Sequence, residues 1–149
     1  GAFVDAALQK AKPKIVVELG TYIGYSTVRW AAQLQKGARL WSIDPDSEFQ
    51  SYAYKLLRKA GLQDRVVLVQ SRAEDVIPAL RSKLGGQPID FLYIDHNKNE
   101  YLPDLQRIEK AGLLRKGSVV VADNVLFFDM EDYLDHVRRS GLYSSSQTF

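Results

Sequence analysis

The sequence predicts an α/β fold: a mostly parallel, twisted sheet with helices on both faces. Three observations carry this. Apolar runs of strand length alternate with helically spaced apolar stripes along the chain. Most of the runs are continuous, which suits strands covered on both faces. The helical stripes end near glycine, at Gly61, Gly85, Gly112 and Gly141. The 149 residues are one domain by length, with enough chain to bury a core.

The elements follow in order. The chain opens on a helical pattern, with Phe3, Ala6, Ala7 and Lys10 at helical spacing. Strands are expected at 14–19 (KIVVEL), 39–44 (RLWSID), 66–70 (VVLVQ), 89–94 (IDFLYI) and 118–122 (SVVVA). Between them, Phe49, Tyr52, Ala53, Leu56 and Ala60 step along one helix face. Val76, Ile77, Leu80 and Leu84 form a second stripe, and Leu102, Leu105 and Ile108 a third. A helix over roughly 129–140 carries Tyr133, Leu134 and Val137, and 142–149 reads as one more strand. Strand, helix, strand at this spacing means parallel pairing with right-handed crossovers.

Composition excludes several function classes. The net charge is +2 and the basic residues are scattered, so no nucleic-acid partner is expected. Zero cysteines exclude thiol catalysis, thiolate metal sites and disulfides, and fit a reducing, cytoplasmic setting. No apolar run approaches the length of a membrane span.

In a parallel sheet of this kind, ligands bind beyond the carboxyl ends of the strands. Every expected strand delivers polar residues there. The first brings Glu18, Gly20, Tyr22, Gly24 and Ser26, and the second Asp44. The third brings Ser71 to Asp75, the fourth Asp95, His96, Asn97 and Lys98, and the fifth Asp123 and Asn124.

A dinucleotide fingerprint needs GxGxxG, but here Tyr22 stands where the middle glycine would be. That argues against a nicotinamide dehydrogenase. Glu18 favours a ligand with positive charge or hydroxyls, and Asp44 suits a ribose diol. A nucleoside with a cationic group satisfies both. Other readings stay open: Glu18 as a cap on nearby amides, Asp44 as an Asx turn or helix N-cap, and the glycines as turn residues.

Asp95, Asp123 and Asn124 are two carboxylates and an amide at the ends of two strands, an oxygen set that Mg²⁺ accepts. Asp123-Asn124 is otherwise a turn. Lys98 follows Asp95 by three residues. A nearby metal would favour its neutral form, fit to take a proton from a substrate hydroxyl; alone, it reads as a solvated charge. His96 reads as packing or hydrogen bonding around a ligand.

The chain resembles the catechol O-methyltransferase family, within the class I S-adenosylmethionine-dependent methyltransferases, from about Gly1 through Tyr143. The stretches that carry this are "VVELGTYIGYSTVR", "GLQDRV", "YIDHNKNEYLPDL" and "EKAGLLRKGSVVVADNV". The resemblance implies a Rossmann-like class I fold over 1–149, and S-adenosyl-L-methionine and Mg²⁺ as cofactors. Glu18, Gly20, Tyr22 and Ser26 would surround the methionine portion, and Asp44 would hold the ribose. Ile43 and Pro45 would flank the nucleoside, Glu74 would face the adenine amino group, and Asp95 and His96 would complete the cofactor site. Asp95, Asp123 and Asn124 would bind Mg²⁺, which chelates a catechol-type acceptor. Lys98 would be the base in an in-line transfer. A binding-only relative with little turnover is the alternative.

Three positions and one loop depart from the family pattern. Asn97 replaces a tryptophan, which removes an aromatic wall. Arg72 sits where the family has a small turn, and Asp44 replaces a glutamate. Leu126 to Asp129 replace a Pro-Gly loop. The family's upstream lid helices and final strand of its terminal hairpin are expected to be absent. The tail would then pair with strand five or cross to another copy, giving a homo-oligomer.

Overall fold

The computed structural model describes residues 1–126 and 129–144. The chain runs α1 (Ala2–Ala11), β1 (Ile15–Leu19), α2 (Tyr25–Ala31), β2 (Arg39–Asp44) and α3 (Ser47–Ala60). It continues through β3 (Val66–Gln70), α4 (Ala73–Lys83), β4 (Ile89–Ile94), α5 (Tyr101–Lys110), β5 (Leu114–Ala122) and α6 (Glu131–Arg139). The strands form one sheet of order β3-β2-β1-β4-β5, and all four pairings are parallel. The order reverses between β1 and β4, and a crevice opens there at the carboxyl ends.

Alternation along the strands splits the core in two. Val17, Leu19, Leu92 and Ile94 face Ile77, Leu80, Leu105 and Ile108 of α4 and α5. Val16, Leu40, Phe91 and Tyr93 face Leu8, Trp30 and Leu57 of α1, α2 and α3. Both faces of the sheet are therefore covered, as the continuous apolar runs require.

Several expectations needed correction. The buried stripe of α1 is Val4 and Leu8, and Phe3 is exposed. In α3 the buried residues are Gln50, Ala53 and Leu57, whereas Tyr52 and Leu56 face solvent. Ala53 is buried as expected, and the other stripe positions differ because these helices also carry apolar residues on their outer sides. Helix α2 has no signal in the sequence, because its seven residues are too few to show a period. Strand β5 starts at Leu114, not 118, because its register with β4 shifts between Ile89 and Phe91. Residues 142–144 form no strand, and 145–149, with Phe127 and Phe128, lie outside the described residues.

The amino ends of the central strands are pinned by Asp90. One oxygen accepts from the Lys14 and Ile15 amides at 2.9 and 3.0 Å, and the other pairs with Arg115 at 2.7 Å. Burial would raise its carboxyl, but these hydrogen bonds hold it below the ordinary range. The opposite ends of the strands are left free for loops.

Candidate functional site

The loop after β1 is shaped by close contacts. Gly20 has φ 102°, and a Cβ there would lie 2.4 Å from the Asp95 carbonyl oxygen. Gly24 has φ 85°, and a Cβ there would lie 2.7 Å from the Ala53 Cβ. Both are thus sterically required, beyond ordinary turn preference. Tyr22, in place of a middle glycine, still takes a left-handed φ of 49°. Such a backbone is uncommon for a non-glycine residue and clusters at functional sites. Its ring is 47% exposed and tilts against Phe49 at 5.6 Å.

Asp44 holds that loop. Its Oδ2 accepts from the Thr21 and Tyr22 amides at 3.0 and 3.1 Å, and its Oδ1 from the Asp46 amide at 2.9 Å. Asp46, not Asp44, caps α3 by accepting from the Glu48 and Phe49 amides. Asp44 retains lone pairs for a further donor.

Glu18 is 0% exposed. Three hydroxyls, from Ser26, Thr27 and Ser42, each donate to it at 2.6 Å. It caps no amide among the described residues. Burial pushes its carboxyl up to about 7, although the hydroxyls pull the other way. Ser26 is only part-buried and stands between Glu18 and the exterior.

A cleft of about 560 Å³ opens beside this loop, lined by Tyr22, Ile43, Asp44, Pro45 and His96 among the expected residues. Phe49, Arg72, Asn97 and Glu100 also line it. Glu74 is not among the lining residues. It pairs with Arg72 at 2.9 Å and Arg107 at 3.5 Å. His96 stacks on Tyr101 with ring centroids 5.4 Å apart, and its Nε2 lies 2.7 Å from Asp104 Oδ2.

The second group gathers at the ends of β4 and β5. Lys98 Nζ lies 3.1 Å from Asp95 Oδ1 and 3.5 Å from the Asp123 carbonyl oxygen. It also contacts the Tyr101 hydroxyl. That hydroxyl reaches the Asp123 carbonyl at 3.0 Å and Asp95 Oδ1 at 3.3 Å. Asp123 accepts from the Tyr93 hydroxyl at 2.6 Å and from the Asn124 amide at 2.8 Å. The Asn124 side chain lies 3.4 Å from Asp95 Oδ1. Asn124 takes a left-handed φ of 58°.

Asp95, Lys98, Asp123 and Asn124 therefore meet, as their spacing after neighbouring strands suggested. Tyr93 and Tyr101 were missed. Both sit within strand or helix patterns where a tyrosine reads as core. The donor set suits a hard divalent cation: carboxylates with spare lone pairs and an amide within reach. His96, Glu100 and Asp104 also place ligand atoms within 4.8 Å of one another, with Arg72 paired to Glu100 and Arg107 to Asp104.

Known proteins align with most of this chain. The sequence model of a family described as O-methyltransferase matches residues 1–139. Catechol O-methyltransferase B of Danio rerio is 42% identical over 145 residues, covering 97% of this chain and 55% of that protein. Catechol O-methyltransferase of Sus scrofa is 42% identical over 143 residues, covering 96% of this chain and 77% of that protein. The chain spans about half the length of several curated relatives, 55% and 54% in the zebrafish and Bos taurus proteins. Among solved structures, the O-methyltransferase TomG from Streptomyces achromogenes, in complex with SAM, superposes with a TM-score of 0.77 at 28% identity. That match covers 93% of this chain and 58% of TomG. The O-methyltransferase from Bacillus cereus, in complex with SAH, gives 0.76 at 28% identity, covering 83% and 55%.

Proposed function

The chain belongs to the catechol O-methyltransferase family and has the class I fold of S-adenosylmethionine-dependent methyltransferases, and from that premise we propose that it methylates a hydroxyl of a catechol-type acceptor. The methyl donor is S-adenosyl-L-methionine, Mg²⁺ assists, and Lys98 is the general base. Residues 1–149 act as one methyltransferase-like domain. The observation that carries the reading is the meeting of Asp95, Lys98, Asp123 and Asn124 at adjacent strand ends, beside the cleft of Tyr22 and Asp44.

The roles follow from position. Ile43 and Pro45 flank the nucleoside, Asp44 offers its remaining lone pairs to the ribose, and His96 packs beside it. Gly20 keeps the loop tight against Asp95, and Tyr22 walls the cleft toward the sulfonium. Ser26 is the hydroxyl through which buried Glu18 acts on the methionine amino group. Glu74 acts at the base end through Arg72. Asp95, Asp123 and Asn124 would hold Mg²⁺, which when bound polarises the acceptor hydroxyl and offsets the two carboxylates. Lys98, held by Asp95 and Tyr101, takes the hydroxyl proton as the oxygen accepts the methyl group.

A second reading, cofactor binding with little turnover, is favoured by one contact. Lys98 Nζ lies 3.1 Å from Asp95 Oδ1, so the proposed base and the proposed metal compete for the same carboxylate oxygen. Calorimetric titration with S-adenosyl-L-methionine, with and without Mg²⁺, followed by a catechol turnover assay, separates the two. Binding with turnover supports the first, and binding alone selects the second. A folded protein that binds no cofactor overturns both. Among the described residues no helix is long and apolar enough to cross a membrane. The outer edge of β5 has no strand beside it among the described residues, and pairing of that edge between copies is the proposed route to an oligomer.

A further inference from the structure

A ring of polar and charged side chains borders the cleft, and its members Arg72, His96 and Glu100 line it. Arg72, just before α4, and Glu100, just before α5, come from different loops and both line the cleft. Arg72 Nη2 lies 2.8 Å from Glu100 Oε1 and 2.9 Å from Glu74 Oε1. Glu74 pairs with Arg107 at 3.5 Å, Arg107 with Asp104 at 2.7 Å, and Asp104 with His96 at 2.7 Å. His96 Nε2 stands 4.0 Å from Glu100 Oε2, which completes the ring.

Resting on the reading that this cleft takes the adenosine of the cofactor, we propose that Arg72 and Glu100 read the edge of its base and select a 6-amino purine over a 6-oxo purine. Four observations support it. The pair presents a hydrogen-bond donor beside an acceptor. A 6-amino purine offers the complement, an exocyclic amine that donates beside a ring nitrogen that accepts. A 6-oxo purine reverses the order and sets like groups against like. Glu74 also pairs with Arg72 at 2.9 Å, which orients the guanidinium beside Glu100.

Third, the pair is accessible. The Arg72 side chain is 53% exposed and that of Glu100 30%. An ion pair this open is weak, and ligand hydrogen bonds can replace its water contacts at little cost. Fourth, Glu100 is the cleft-lining carboxylate at this end, whereas Glu74 stands behind Arg72. The guanidinium is planar and always charged, so its donors keep their orientation.

The test is calorimetric titration of the intact chain with S-adenosylhomocysteine and with S-inosylhomocysteine, which differ at the base edge. The expected wild-type preference for adenine is about tenfold or more, the scale of a hydrogen bond to a charged group. Arg72→Ala and Glu100→Gln should each reduce it to within about threefold, chiefly by weakening the adenine compound. Thermal melts that match wild type show that the variants are folded. A preference that survives both substitutions overturns the proposal. So does an equal loss of both ligands, which marks the ring as purely structural. So does loss of the preference in Glu74→Ala with Glu100→Gln unaffected. A wild-type protein that binds neither compound overturns the adenosine-site reading itself, and is distinguishable from all of these.

Discussion

At the residue scale, Glu18 carries the sharpest expectation. Its carboxyl is raised from an ordinary value of 4.5 to about 7 by burial. Folding therefore keeps a proton that the unfolded chain releases first. The stability this group allows is fully present below 4.5 and is lost as pH rises through about 7. The loss is on the order of 3 kcal/mol. Urea melts at about pH 5 and about pH 8 should show it, and Glu18→Gln should flatten that slope. An equal slope in the variant would assign the loss elsewhere. Lys98→Met tests the chemistry: kcat should fall about a hundredfold or more, with cofactor affinity near wild type. Much of this was legible in the sequence. The oxygen set after β4 and β5 follows directly from which residues end adjacent parallel strands. What Glu18 and Asp44 touch was not. Three hydroxyls and three loop amides reach them from residues up to 24 positions away, which only the folded chain brings together.

At the element scale, helix ends were easier to read than helix faces. Gly61, at the foot of α3, takes the left-handed conformation its position suggested. The face of the same helix was misread, because Tyr52, Tyr54 and Leu56 are apolar yet exposed, and a stripe count cannot tell which of two apolar sides is covered. Strand β5 shows the converse. Arg115, Lys116 and Gly117 do not look like strand residues, and only the register shift against β4 takes them in. The start of α3 can be checked by mutation. The Asp46 carboxylate satisfies two amides of the first turn, both at 2.9 Å. Asp46→Ala should cost about 1 kcal/mol in chemical denaturation. It should also loosen the cleft beside the β1 loop, because Asp46 and Phe49 both line it. Asp44 would keep its contacts to Thr21 and Tyr22, so the loop after β1 should hold while α3 frays. Stability unchanged by the substitution would show that the cap is redundant.

At the scale of the whole molecule, the sheet is asymmetric. Strand β1 lies at its centre with partners on both sides, whereas the outer side of β5 meets no strand among the described residues. A groove of about 770 Å³ runs along that side, lined by Leu114, Val119, Val120, Tyr133, Val137 and Tyr143 among others. Edge strands are commonly blunted by charge. Arg115 and Lys116 do this at the start of β5, but Val119, Val120 and Val121 carry no such protection. Amides that meet no strand among the described residues, beside an apolar groove, favour strand addition. The Asp123 amide donates to Ile94 on β4. Alternation therefore turns the amides of Val119 and Val121 toward β4 and that of Val120 toward the open edge. A proline at 120 removes an outward donor and leaves the β4 ladder intact. Light scattering across a concentration series should show self-association of the wild-type chain. Val120→Pro should weaken it while the protein remains folded. A wild-type chain that stays monomeric throughout overturns the pairing. Association unchanged in Val120→Pro moves the contact away from the β5 edge.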